Sequence, residues 1–178
     1  MAIEIEAKLK VQSFEGLHSR LTDLRAQPVG QVQQEDDYYD DPLRHLAGGD
    51  RCLRVRKESG SRGRRTVLCY KGPKHPARYK VRDELQVEVN DPQALGQILE
   101  ALGYRRSITV RKQRQLWQVK DCLVSLDEVH GLGRFVEIEG PDEDAVGQAQ
   151  IALGLEGLHH IPRSYASMLA EAAPQGRS

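Results

Sequence analysis

The chain has 178 residues, enough for one domain with a full hydrophobic core. Its 26 basic and 26 acidic side chains give a formal net charge of zero, which excludes a globally basic nucleic-acid binder but not a local basic site. Cys52, Cys69 and Cys122 are far apart with no CxxC pair, against a disulfide framework or a thiolate zinc site. No stretch approaches the roughly 18 apolar residues of a membrane span. The opening MAIEIEAKLK is charged where a signal peptide is apolar. The expectation is a protein of the reducing cytoplasm with no membrane partner.

Residues 2–11 alternate strictly. Ile3, Ile5, Ala7 and Leu9 fall on one face and Glu4, Glu6, Lys8 and Lys10 on the other, which is the period of a strand. Residues 13–25 change period: Phe14, Leu17, Leu21 and Leu24 form the stripe of an amphipathic helix, with Ser13 as its cap. Residues 31–39 read as a polar strand, and 40–50, with Pro42, Gly48 and Gly49, as a loop. Residues 52–57 and 66–71 read as a strand pair about the tip 59–63, with Gly72-Pro73 as a stop and 74–79 as a mobile basic loop. Residues 81–89 alternate again, setting Val81, Leu85, Val87 and Val89 against Arg82, Glu84, Gln86 and Glu88. Asp91-Pro92 opens a helix that Gly103 ends. Strands follow at 104–119, 123–129 and 135–139. Pro141 with Asp142, Glu143 and Asp144 opens a helix ending near Gly154, and a short helix begins near Ser164. The expectation is one domain over 1–173 and a frayed tail at 174–178. Mixed order and short strand connections predict an α+β protein with antiparallel pairing.

The non-apolar strand faces carry the chemistry. They read Glu4, Glu6 and Lys8; Arg54 and Arg56; Arg82, Glu84 and Glu88; Lys112 and Arg114; Glu137 and Glu139; and Lys71 ends another strand. Two arrangements fit. In the first, each is the wet face of a half-buried sheet. In the second, eight strands close, helices cover the apolar outside, and the charged faces line a tunnel. Glu4 and Glu6 would stand roughly 7 Å apart, two strand rises. Their repulsion is about 2 kcal/mol at an effective dielectric near 20, so a closed lumen requires a compensating cation. A ligand that needs both signs in one cavity is a metal-bound polyphosphate: carboxylates bind hard cations such as Mg²⁺ or Mn²⁺, while Lys and Arg meet phosphate oxygens.

A set of motifs narrows these alternatives. Glu4-Ile5-Glu6-Ala7-Lys8 resembles the ExExK signature of the CYTH family, the triphosphate tunnel metalloenzymes. Asp36, Tyr38 and Pro42 resemble the DxYxxxP stretch of its class IV adenylate cyclase branch. Leu53-Arg54-Val55-Arg56, Tyr70-Lys71-Gly72-Pro73, Arg82-Asp83-Glu84 and Lys112-Gln113-Arg114 resemble its LRxR, YKGP, RxE and KxR elements. The run LDEVHGLGRFVEIE from Leu126 to Glu139 is similar to its glycine-turned hairpin, and Arg163-Ser164-Tyr165 resembles its closing SY helix. The likeness covers residues 2 to about 170.

The resemblance implies an eight-stranded antiparallel barrel with a central tunnel and helices packed outside. It implies Glu4, Glu6, Glu137 and Glu139 as ligands for Mg²⁺ or Mn²⁺. It implies Lys8, Arg54, Arg56, Lys71, Lys112 and Arg114 as phosphate-binding residues, with Arg82 and Glu84 in secondary roles and Asp127 ordering a base or a water. It further implies a small-molecule triphosphate as substrate and no nucleic-acid partner, and the family's frequent dimers add a homodimer to the expectations. The leading expectation is conversion of ATP to cyclic AMP and pyrophosphate. A triphosphatase acting on tripolyphosphate, thiamine triphosphate or a nucleoside triphosphate is the alternative. A polyphosphate- or RNA-binding module is the non-enzymatic one, suggested by the arginines and Lys57 between Arg51 and Arg65. His45-Leu46 stands where the cyclase branch commonly has Asp-Phe, and Gln86 where Glu is frequent. These departures lie on the rim and bear on nucleotide specificity. His130 and the GLG run read as a hairpin turn, and His159-His160 as a loop pair.

Overall fold

The computed structural model describes residues 2–172; the tail expected at 174–178 lies outside the described residues. Eight strands close into a barrel in which all neighbours are antiparallel. They are β1 (Ala2–Val11), β2 (Gln27–Asp40), β3 (Cys52–Gly60), β4 (Gly63–His75), β5 (Lys80–Glu88), β6 (Arg105–Val119), β7 (Cys122–Val129) and β8 (Gly133–Gly140). Around the barrel the order is β1-β5-β4-β3-β2-β6-β7-β8. The alternating β1 makes the closure. Its residues Ala2 to Glu6 pair with β5, and Ile5 to Val11 pair with β8. Closure leaves no sheet edge open.

Strand alternation then divides each side chain between lumen and exterior. On one flank the exterior is the main core. Ala7, Leu9, Val124, Leu126, Val136 and Ile138 pack against Leu17 and Leu21 of α1 (Glu15–Asp23) and against Val146 and Ala149 of α4 (Glu143–Ala152). Asp142 caps α4 by accepting from the Ala145 N–H. Asp91 caps α3 (Pro92–Ala101) by accepting from Gln93 and Ala94, as its Asp-Pro start predicts.

Elsewhere the local pattern misleads. Helices do not cover the whole exterior: Leu85 and Val87 of β5 are 50% and 56% exposed. Period two says which residues share a face, not what lies over it. The stop at Gly72-Pro73 is a bulge instead: β4 runs on to His75, with a register shift between Lys71 and Lys74 that accommodates the proline. Of the loop expected at 74–79, residues 76–79 remain, and Glu143 holds the backbone N–H of Arg78. The loop at 40–50 contains α2 (His45–Gly48), whose Leu46 and Ala47 N–H groups donate to the Asp40 carboxylate. Ser13 lies one residue too early to cap α1. Phe14 is the N-cap, and the Ser13 hydroxyl accepts from Glu15. Strand β2 begins at Gln27 rather than at residue 31.

Candidate functional site

The lumen holds the expected charges. Glu4, Glu6 and Lys8 of β1, Arg54 and Arg56 of β3, and Lys71 of β4 line a cavity of about 920 Å³. Arg82 and Glu84 of β5, Lys112 and Arg114 of β6, and Glu137 and Glu139 of β8 also line it. Asp127 of β7 lies behind that wall, fully buried. The strands converge these groups because each carries its charges at i and i+2, and closure turns those faces inward.

Every acid in the wall except Glu139 is paired with a cation. Lys71 Nζ lies 2.6 Å from both Glu4 oxygens and 3.2 Å from Glu84 Oε2. Glu6 is shared by Lys8 at 3.4 Å and Lys80 at 3.3 Å. Glu137 takes Lys8 at 3.3 Å and a close contact from Arg114. Arg114 also grips Asp127 with two parallel bonds, Nε at 2.6 Å and a terminal nitrogen at 2.5 Å, and Lys112 stands 3.5 Å from the same carboxylate. Asp36 of β2 receives two bonds from Arg56, at 2.7 and 2.8 Å, and faces Arg54 at 3.6 Å. Arg54 Nε is buried without a hydrogen-bond partner. A buried, unsatisfied guanidinium nitrogen in a charged cavity is suited to an incoming anion.

Arg82 does different work from the other cations. It donates to the Asp50 and Gly72 carbonyls, both at 2.8 Å, and to the Asp50 carboxylate at 2.6 Å. It therefore braces the cavity rim. Lys80 and Tyr165, which line the lumen, and Asp36, buried against Arg54 and Arg56, were not assigned from the sequence. Lys80 falls in phase with Arg82 and Glu84, two residues before the first of them, so extending the alternation by one step would have included it. Asp36 was visible in the DxYxxxP pattern but carried no role. Tyr165, at the start of α5 (Tyr165–Ala172), reaches the lumen from a helix, and strand periodicity does not report helices. Of the residues read as bland, His160 is not idle: its Nδ1 accepts the Lys8 backbone N–H at 3.1 Å.

The electrostatics follow from this packing. Burial and Glu137 push the Glu6 pKa up, but Lys80, Lys8 and Lys71 outweigh them and hold it at about 2. Burial likewise opposes Glu137, and Arg114, Lys8 and Lys112 hold its carboxyl well below the usual range. Lys112 is pushed down to about 7 by burial and by Arg114. Glu139, although open to solvent on one side, has a pKa raised to about 7 by its packed surroundings and then by Glu4 and Glu6.

That crowding bears on metal binding. Among the described residues, no three acidic, imidazole or thiolate side chains converge closely enough to hold a metal as they stand. Glu4, Glu6 and Glu137 turn instead to Lys71, Lys80, Lys8 and Arg114. The chemistry of the set nonetheless fits a hard divalent cation. Glu6 faces Glu139 across the β1–β8 ladder, Glu137 is beside them on β8, and Glu4 is near enough to raise Glu139.

Glu139 also predicts a pH dependence. Its folded pKa exceeds the ordinary value of 4.5, so the folded chain holds this proton more tightly than the unfolded chain. The resulting stabilisation is complete below the unfolded value and is lost as pH rises through about 7. In metal-free buffer, thermal unfolding of Glu139→Gln should gain on the parent between about pH 5 and about pH 8. A difference in melting temperature that stays constant over that interval would contradict the crowding.

The basic hairpin offers less free charge than its sequence suggests. Arg65 pairs with Glu58 at 2.8 Å, and Lys57 with Asp37 at 3.0 Å and Glu35 at 3.3 Å. Arg62 and Arg64 are exposed near the tip. Among the described residues no helix is long and apolar enough to cross a membrane.

Comparison with known proteins agrees with this geometry. Residues 2–165 match the CYTH domain. A candidate adenylate cyclase of Methanocaldococcus jannaschii, MJ0240, is 33% identical over 137 residues, covering 77% of this chain and 76% of the relative. The adenylate cyclase CyaB of Aeromonas hydrophila is 26% identical over 137 residues, covering 76% and 67%. The PH1819 protein of Pyrococcus horikoshii OT3 superposes with a TM-score of 0.83 at 30% identity, covering 95% of this chain and 99% of that one. With the family match spanning nearly the whole chain and the fold shared end to end, this chain belongs to the CYTH domain family.

Proposed function

We propose that the lumen binds the triphosphate of ATP with Mg²⁺ or Mn²⁺ and converts ATP to cyclic AMP and pyrophosphate. The observation that carries this reading is the buried wall of mixed charge, in which Arg54 keeps an unsatisfied nitrogen and six expected phosphate ligands share one cavity. The names of the M. jannaschii and A. hydrophila relatives support the cyclase chemistry. In that reaction the ribose 3′-oxygen loses its proton to water and forms a bond to the α-phosphorus. The bond from that phosphorus to its bridging oxygen breaks, and pyrophosphate leaves.

Lys8, Arg54, Arg56, Lys71, Lys112 and Arg114 would neutralise the phosphate oxygens as charge moves onto the leaving group. Arg54 can meet two oxygens, Arg56 can offer the terminal nitrogen that does not bond Asp36, and the lysines act as point charges. Glu4, Glu6, Glu137 and Glu139 would hold the cation, which supplies charge neutralisation when bound. The cations that Glu4, Glu6 and Glu137 now face would then be released toward phosphate. In-line placement of the 3′-oxygen separates this outcome from hydrolysis at the terminal phosphorus.

Product analysis tests the reading. Purified protein is incubated with Mg²⁺ or Mn²⁺ and, in parallel, ATP, tripolyphosphate or thiamine triphosphate. Cyclic AMP with pyrophosphate is the expected result. Orthophosphate without cyclic nucleotide would replace it with a triphosphatase. Salt-sensitive binding without any product would replace it with a polyphosphate- or RNA-binding module.

A further inference from the structure

Tyr165 begins α5, yet its ring sits in the charged lumen and is 4% exposed. It packs against Phe135, with centroids 5.1 Å apart in an edge-on arrangement. Two lysine side-chain nitrogens face it: Lys8 Nζ is 4.4 Å and Lys112 Nζ 4.9 Å from the ring centroid. The Tyr165 hydroxyl donates to Asp127 Oδ2 at 3.0 Å, the carboxylate that also holds Arg114. One side chain thus touches two of the expected phosphate-binding lysines and the anchor of the third cation.

The segment before Tyr165 ties Lys8 further. Strand β1 stops pairing with β5 at Glu6, so the backbone groups of Lys8 on that side would lack partners. His160 Nδ1 accepts the Lys8 N–H at 3.1 Å, and the Ile161 N–H donates to the Lys8 carbonyl at 2.8 Å. The Lys8 ammonium in turn donates to the Arg163 carbonyl at 3.1 Å. Backbone and side chain of this lysine are therefore both fixed by residues 160–165.

An aromatic ring is an unusual partner for such a pair. A carboxylate attracts an ammonium by neutralising it and competes with phosphate for it. A ring face attracts through its quadrupole and leaves the full positive charge available. The other partners of Lys8 are Glu6 and Glu137, both assigned to the metal. Once those carboxylates turn to a cation, the ring and the Arg163 carbonyl are what keep Lys8 in place. We propose that Tyr165 is a positioning residue for triphosphate binding, holding the Lys8 and Lys112 side-chain nitrogens against its ring so that both meet the phosphate chain. This rests on the reading of the lumen as a triphosphate site.

The test replaces Tyr165 with Leu, with Phe, and with phenylalanines carrying increasing numbers of ring fluorines. Fluorination drains the ring quadrupole while nearly preserving shape. The readouts are calorimetric affinity for tripolyphosphate with Mg²⁺, KM against kcat, and melting temperature. Tyr165→Phe should keep affinity within about threefold, because the ring face remains. Tyr165→Leu should weaken it about tenfold or more, with KM rising further than kcat falls. The fluorinated series should lose affinity stepwise at constant melting temperature. A flat fluorinated series, or a Leu variant that melts earlier with unchanged affinity, would overturn the proposal and leave Tyr165 a packing residue. If Leu prevents folding, the fluorinated series decides alone. Failure of the parent protein to bind tripolyphosphate would sink the reading of the lumen and this inference together, whereas parent binding with a flat series sinks only the latter.

Discussion

Glu137→Gln should lower metal-dependent turnover by about 10²–10³-fold or more while leaving the barrel folded. The substitution preserves shape and removes one negative charge. In the resting protein that charge is held firmly ionised, since Arg114, Lys8 and Lys112 outweigh the burial that opposes it. Its loss does not strand Arg114, which keeps its paired bonds to Asp127, nor Lys8, which keeps Glu6 and the Arg163 carbonyl. Stability should therefore change far less than activity. Glu6→Gln should behave likewise, because Lys80 and Lys8 retain other acidic neighbours in the lumen. The check is kcat against Mg²⁺ or Mn²⁺ concentration, with circular dichroism and melting temperature alongside. Normal turnover in both variants would remove these carboxylates from the metal site.

The second large effect is expected at Arg114. Arg114→Ala should weaken tripolyphosphate binding much more than it weakens Mn²⁺ binding, because it removes a proposed phosphate donor and leaves the four proposed metal carboxylates in place. It should also destabilise the fold by roughly 3–5 kcal/mol, the usual cost of stripping one partner from a buried ion pair. Asp127 is 0% exposed and would retain Lys112 at 3.5 Å and the Tyr165 hydroxyl, neither of which replaces two short guanidinium bonds. Lys8→Ala separates the two consequences. Its partners Glu6 and Glu137 keep Lys80 and Arg114, so affinity should fall with a smaller loss of stability. Calorimetry with tripolyphosphate and with Mn²⁺ separately, and chemical denaturation, measure these quantities. Unchanged catalysis in both variants would place the phosphate site elsewhere.

Much of this lumen was legible in the strand phases. Glu4, Glu6 and Lys8 alternate with Ile5, Ala7 and Leu9, and a strand has no other way to present them than on opposite faces. Which face turned inward was not legible from period two, since a wet sheet and a closed barrel share it. The ExExK, LRxR and KxR resemblances decided between them. Lys80 was lost because Pro76 and its basic neighbours made the preceding stretch look like loop up to Tyr79. Leu85 and Val87 were expected under a helix, yet α1 and α4 both return onto the β1, β7 and β8 flank. Tyr165 was least accessible to sequence reasoning. Its place over Lys8 and Lys112 depends on where α5 meets the barrel, a tertiary relation between segments more than 50 residues apart for Lys112 and more than 150 for Lys8.

Anomalous diffraction from crystals grown with Mn²⁺ and tripolyphosphate asks most directly whether the barrel lumen is a metal–triphosphate site. The expected map has a manganese peak among Glu4, Glu6, Glu137 and Glu139, with phosphate density against Lys8, Arg54, Arg56, Lys71, Lys112 and Arg114. An empty lumen at saturating ligand, or phosphate density confined to the exposed hairpin near Arg62 and Arg64, would contradict it.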